Sequence, residues 1–273
     1  MKRSLPTLTT VLLLAMGAAA QASPKTPADT SASESDAPIA NPGRPTVSTP
    51  ATLTPVGYAQ FETGVLSAWR SPDFSSQTSM NEVVKFSVSR RIELLAGFEP
   101  VAHSRAGSVS SNDAGGVLLG VQTVLYHGEG AKPTFSASYF HSVYGGAAPD
   151  LDIGSANNSV LLLASADVKK FHYDANAFFN EVTFDPIRRA QFGQSLSVSH
   201  PLSARFGLSG EIWHFSQPFL HGNAVGNLWA LSYSASKDLV FDGGFNRGLT
   251  STSTRWEVVA GFTYLLPHKL FRR

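Results

Sequence analysis

The chain has 273 residues, no cysteine, a formal net charge of +1 and only 15% charged residues. The missing thiols exclude disulfides, thiolate metal sites and a cysteine nucleophile, and near-neutral charge offers no basic surface for nucleic acid. Soluble domains usually carry about 25% charged residues, and no apolar run here approaches the roughly 20 residues of a spanning helix. That combination points to a membrane β-barrel.

The amino terminus reads as an export address. Lys2 and Arg3 give a positive start, Val11 to Ala20 a short apolar core, and Ala20-Gln21-Ala22 a small-residue cleavage site, predicting a signal peptide over residues 1–22. No cysteine follows to carry a lipid anchor. Residues 23–50 are Ser, Thr, Ala and Pro with almost no large apolar side chain. Such a stretch buries too little surface to offset its ordering entropy, so a disordered or polyproline-like linker is expected there. Residues 51–273 remain for the barrel domain.

From Gly57 the chain alternates between extended segments and turns. Gly57 to Ala68 sets Phe61, Thr63, Val65 and Ser67 against Tyr58, Gln60, Glu62 and Gly64, and a loop from Arg70 to Gln77 follows. Thr78 to Ser89 turns tightly at Arg90-Arg91 into Ile92 to Val101, where Ile92, Leu94, Ala96 and Phe98 oppose Glu93, Leu95, Gly97 and Glu99. A polar loop is expected over His103 to Asp113. The next segment points Val117, Leu119, Val121, Thr123 and Leu125 outward, with Gln122 and Tyr126 inward. His127 to Lys132 turns into the row of Phe135, Ala137 and Tyr139, and Tyr144 to Ala156 forms a long loop.

The clearest pattern lies between Asn157 and Asn180. Val160, Leu162, Ala164, Ala166 and Val168 form one apolar row and Lys169-Lys170 a tight turn. Phe171, Tyr173, Ala175, Ala177 and Phe179 then face one way, and His172, Asp174, Asn176 and Asn180 the other, with Phe178 off pattern. Strand side chains alternate faces, so this is a hairpin with an apolar and a polar surface. Arms of about ten residues match a tilted strand crossing a bilayer. Arg189 to Ser199, Arg205 to His214, Asn227 to Ser236, Leu239 to Asn246 and a last strand through Trp256 and Tyr264 continue the pattern, with Phe215 to Val225 read as a loop.

These segments predict an all-β fold, a transmembrane antiparallel up-and-down β-barrel of about twelve strands. Short turns at Arg90, Lys169, His200 and Lys237 belong on the periplasmic side and longer loops outside. Tyr58, Trp69, Tyr126, Tyr139, Trp213, Trp229, Trp256 and Tyr264 suit interfacial girdles. Alternation places Glu62, Lys85, Glu93, Glu99, Asp174, Glu211, Asp242, Arg255 and Glu257 inward, as lumen-lining candidates. Charges avoid lipid, where they cost about 2–4 kcal/mol at the midplane, and an acidic lumen would favour cations or neutral solutes.

Four stretches carry a family resemblance: GYAQFETG at Gly57, the IELLAGFEP arm after Arg90-Arg91, DAGGVLLGVQ at Asp113, and the terminal WEVVAGFTY. Together they resemble the outer-membrane transporter family of the meta-pathway of phenol degradation. Asp113-Ala114-Gly115-Gly116 departs from that family's Gly-Asp strand, and the chain runs past Tyr264 to Arg272-Arg273 instead of ending on an aromatic. The resemblance implies a barrel of this size in the outer membrane that moves small hydrophobic or aromatic molecules, and it implies no catalytic residue.

Enzymatic chemistry has one candidate, His214-Phe215-Ser216. Residues two apart in a strand share a face, so the imidazole could accept the Ser216 proton in a lipid acylhydrolase. Outer-membrane phospholipase A and lipid A deacylase resemble this His-x-Ser pattern, but Gln217 and Pro218 stand here where an Asn follows in them. The eight histidines lack metal-ligand spacing, and no phosphate or dinucleotide motif occurs, so no cofactor or metal is expected. Asp150 and Asp152 form an acidic loop that could hold calcium. The expected partners are outer-membrane lipid, a small-molecule solute and the outer-membrane insertion machinery. A secreted soluble β-sandwich that binds glycans is the remaining alternative.

Overall fold

The structure is a computed structural model that describes residues 38–149, 156–184 and 186–270. The signal peptide, residues 23–37 of the expected linker and the Asp150–Asp152 loop lie outside the described residues. The strands are β1 (Ala59–Trp69), β2 (Ser76–Ser87), β3 (Ile92–Ala106), β4 (Val109–Asp113), β5 (Val117–Tyr126), β6 (Thr134–Tyr144) and β7 (Ala156–Val168). They continue as β8 (Phe171–Phe184), β9 (Ile187–Pro201), β10 (Phe206–Gln217), β11 (Gly222–Ser234), β12 (Leu239–Gly248) and β13 (Trp256–Leu265).

Each wall strand pairs antiparallel with its neighbours, and β1 pairs with both β2 and β13, which closes the sheet. Strand β4 pairs only with the far end of β3, as a flap on the long-loop side. Leaving it aside, the barrel has twelve strands, as the alternation predicts. Closure satisfies every edge, the condition for a sheet to cross a bilayer. The sandwich reading is thereby overturned, because a sandwich keeps two packed sheets with open edges.

Burial inverts that of a soluble protein. Phe61, Val65, Leu94, Leu119, Phe135, Val160, Leu162, Phe179, Phe192, Ile212, Trp229 and Phe245 are exposed on the outer face. Gln60, Glu62, Gln77, Glu93, Gln122, Asn176, Gln191 and Glu211 are buried. The Asn157 to Asn180 hairpin forms as read, with Val168 opposite Phe171 and Lys169 in the left-handed region at φ 59°.

Three local readings change. Tyr126 points outward, because a bulge between Val124 and Tyr126 inserts an extra residue and flips the strand end. The expected loop from Phe215 to Val225 shrinks to residues 218–221, since β10 and β11 stay paired out to Gln217 and Gly222. Residues 103–113 are mostly strand too, the end of β3 and all of β4. Beyond the hydrocarbon a hairpin has no apolar face to display, so its alternation disappears while its ladder persists.

The largest departure concerns the linker. Residues 38–58 are not a free tether; they run inside the barrel and lead into β1. The Arg44–Pro45 peptide is cis. The barrel wall accordingly starts at Ala59, not at residue 51.

Candidate functional site in the barrel lumen

The lumenal segment travels round the inner wall, held mostly by its own main chain. Its course begins where the Ala40 amide donates to the Lys237 carbonyl, in the short turn between β11 and β12. The Asn41 amide donates to Gln60 Oε1 at 2.8 Å and the Gly43 amide to Glu62 Oε1 at 3.0 Å, both on β1. On β10, Glu211 accepts from the Val47 amide at 2.7 Å, the Ser48 amide at 2.6 Å and the Ser48 hydroxyl at 2.6 Å. The Thr49 amide reaches Asn176 on β8, and the Ala51 amide reaches Ser165 on β7. Ser136 on β6 donates to the Ala51 carbonyl and Gln122 on β5 to that of Pro50. Finally Glu93 on β3 accepts from both the amide and hydroxyl of Thr54.

This is why a proline-rich stretch fits. A main chain away from water needs a partner for every N–H. Pro42, Pro45, Pro50 and Pro55 have none to satisfy. The amides of Asn41, Gly43, Val47, Ser48, Thr49, Ala51 and Thr54 meet side chains of the wall. Conversely, the buried carboxylates of Glu211 and Glu93 need donors, and the segment supplies them.

A second contact is apolar. Phe178, the off-pattern residue of β8, turns inward and joins Leu161, Leu163, Trp213, Phe215 and Ala224 around Ala51, with Val47 and Phe140 at the margin. The Phe178 and Phe215 rings lie 5.1 Å apart. Trp213 is therefore an interior residue and not part of a girdle, its indole N–H donating to Asn246 Oδ1 at 2.9 Å. Of the other girdle candidates, Trp69, Tyr126, Tyr139, Trp229 and Trp256 are exposed on the outer face. Glycines opposite make room for the interior rings. A Cβ on Gly193 would lie 2.3 Å from the Phe215 ring, one on Gly226 2.2 Å from Trp213, and one on Gly120 2.4 Å from Phe140.

Seven of the nine inward candidates, Glu62, Lys85, Glu93, Asp174, Glu211, Asp242 and Glu257, are buried within the barrel. Glu62 and Lys85 pair at 2.5 Å. Asp174 accepts from Ser165 and lies 3.2 Å from the His172 ring. Asp242 faces Arg44 of the segment at 3.5 Å. Glu99 and Arg255 sit apart, half-buried towards the long-loop rim, Glu99 against Gly115 and the Arg255 amide on the Arg70 carbonyl. Composition hid Arg44, Ser48 and Thr54, because nothing local in a Ser/Pro stretch announces distant partners.

The His214–Ser216 pair is not assembled as a dyad. Glu211, Trp213 and Phe215 occupy the inner face, so His214 and Ser216 share the outer one, and Ser216 Oγ accepts from the Phe192 amide at 2.9 Å. Among the described residues no hydrogen bond joins the two side chains. Ser216→Ala should leave barrel assembly and lipid composition unchanged, read by heat-modifiable gel migration and a lipid hydrolysis assay. Loss of a measurable hydrolase activity would restore the enzyme reading. Among the described residues no group of acidic or histidine side chains could hold a metal ion.

At the short-turn end a cavity of about 650 Å³ remains between the segment and β8 to β12. Small residues line much of it, including Ser199, Gly207, Ser209, Ala230 and Ser232, together with Arg44 and His172.

Solved structures share this architecture. An outer membrane channel from Pseudomonas putida F1 is similar at a TM-score of 0.56 and 14% identity, over 83% of this chain and 99% of that one. The fold is that of an outer-membrane β-barrel. The NanC porin is similar at 0.54 and 11% identity, over 74% of this chain and 98% of that one. The KdgM porin follows at 0.51 and 10%, over 76% and 98%, and has also been solved in complex with disordered oligogalacturonate. No family model matches the sequence, and no curated protein sequence matches it.

Proposed function

We propose that the chain is an outer-membrane channel for small solutes, held closed in this state by its own residues 38–56. The observation that carries the reading is a closed twelve-strand barrel, apolar outside and polar inside, whose inner wall is buried by that segment and not by wall side chains alone. An eight-stranded barrel fills with side chains and a sixteen-stranded one leaves a channel; at twelve strands the space admits an extra strand of chain.

Solute class follows from the lining. Among the described residues the buried charged groups are six carboxylates and one ammonium, which disfavours polyanions such as the oligogalacturonate of the KdgM complex and favours cations or neutral molecules. The cluster around Phe178 and Phe215 adds an apolar surface beside the path. It supports small hydrophobic or aromatic solutes, as does the resemblance to the transporter family of phenol degradation. Short turns facing the periplasm and the export signal at residues 1–22 belong to the same reading.

The test is single-channel conductance of the refolded mature chain in a planar bilayer, beside a variant lacking residues 38–54. The intact protein should open rarely, and the deletion should conduct continuously with cation preference. A folded, heat-modifiable deletion that conducts nothing would overturn the channel.

A further inference from the structure

One part of the segment's seat is shaped for a particular chemical group. Gly64 on β1 and Gly261 on β13 stand directly opposite each other. A Cβ on Gly64 would lie 2.1 Å from Arg44 Nη2 and 2.6 Å from its Cζ, and one on Gly261 would lie 2.7 Å from Nη2. The paired glycines thus open a notch in the wall that the planar guanidinium occupies. Asp242 on neighbouring β12 closes one side of it, with Nη2 3.5 Å from Oδ1 and the carboxylate side chain only 2% exposed.

The fit of charge is incomplete. Neither Asp242 oxygen accepts a hydrogen bond, and the buried Arg44 Nε–H has no acceptor. A guanidinium and a carboxylate free to orient form two parallel short bonds. Arg44 is held off that geometry by its own main chain, which is pinned one residue earlier by the Gly43 amide on Glu62. Arg44 also borders the cavity at the short-turn end.

We propose that Gly64, Gly261 and Asp242 form a guanidinium-binding site in the barrel wall, which Arg44 fills as an intramolecular latch on the closing segment. An untethered guanidinium group satisfies the carboxylate better than the tethered one and competes for the notch. The inference rests on the channel reading for its consequence, which is that latch release loosens the plug, but the site itself is testable apart from conductance.

The chain has no cysteine, so Thr49→Cys supplies a unique reporter on the segment, and its rate of maleimide labelling in the full barrel measures exposure. In that background Arg44→Ala should raise the rate on the order of tenfold, as expected for loss of one buried charged contact. In the protein that keeps Arg44, millimolar guanidinium chloride should raise the rate by displacing the latch, and tetramethylammonium chloride at equal ionic strength should not. Adding Asp242→Asn should abolish the guanidinium effect. Heat-modifiable migration verifies that each variant has folded. The site is wrong if Arg44→Ala labels like the parent, or if the two cations act alike, or if guanidinium still acts without the Asp242 charge. A silent deletion of residues 38–54 in the bilayer would instead count against the channel and leave these labelling results to decide the site.

Discussion

Glu211→Ala should release the middle of the lumenal segment, lowering the ratio of closed to open barrel by roughly ten- to a hundredfold. Glu211 takes three hydrogen bonds from Val47 and Ser48, at 2.6 to 2.7 Å. Hydrogen bonds to a charged group contribute about 1.5–3 kcal/mol each, and 1.4 kcal/mol is a factor of ten. The bonds share one carboxylate and the variant admits water, so the net effect is nearer one such bond than three. Removing the acceptor also takes the Val47 and Ser48 amides from their wall partner and leaves them to water, which loosens the segment from β10. The wall strands lose nothing they use to pair, and burying a carboxylate is itself costly, so the melting temperature of the barrel should stay the same or rise. Single-channel open probability and labelling of a Thr49→Cys reporter check the first half, and heat-modifiable migration against temperature checks the second. Closed-state behaviour like the parent's would show that Glu211 is not a principal grip. Glu211→Gln should fall between, because an amide keeps one acceptor oxygen and places an NH₂ where the other received a proton.

The wall of this protein is legible in the sequence because its physics is local. Val160 through Phe179 alternate for reasons that involve only lipid on one side and polar lumen on the other, and Lys169-Lys170 sits where the alternation reverses. The inward acids follow from the same rule, and Glu62, Glu93, Asp174, Glu211, Asp242 and Glu257 are buried. The occupant of the lumen obeys a different rule. Residues 38–56 are poor in apolar surface, and by that measure nothing should order them. What orders them is a set of acceptors dispersed over β1, β3, β7, β8 and β10, with each contact many residues away in sequence. Two features of the sequence belong to that occupant. Phe178 broke the polar row of its strand because it belongs to an interior cluster, and inward carboxylates outnumbered inward bases. A wall with more acids than bases needs N–H groups from elsewhere, and the stretch that precedes β1 supplies them.

Phe215→Ala should be the most destabilising single change inside the barrel, by about 3–5 kcal/mol in urea unfolding from lipid vesicles. Phe215 is 1% exposed, packs its ring 5.1 Å from Phe178 and 6.1 Å from Trp213, and lies across the notch left by Gly193. Truncation leaves a void bounded by strands on one side and by Ala51 of the segment on the other, and rigid hydrogen-bonded walls cannot collapse to fill it. The informative comparison is Phe192→Ala on the outer face, where Phe192 meets Phe179 edge-on at 5.8 Å. There, lipid chains can flow into the space, so the cavity contribution vanishes and only part of the transfer free energy is lost, about 1–2 kcal/mol at most. The two variants remove the same atoms from the same protein, and their difference measures how far the lumen is a packed core and not a solvated pore. Phe215→Ala should also quicken labelling of the Thr49→Cys reporter, since Ala51 loses its apolar support; Phe192→Ala should leave it unchanged. Equal costs for the two truncations, with labelling unaltered in both, would mean that water already fills the space around Phe178 and that the carboxylates alone hold the segment in place.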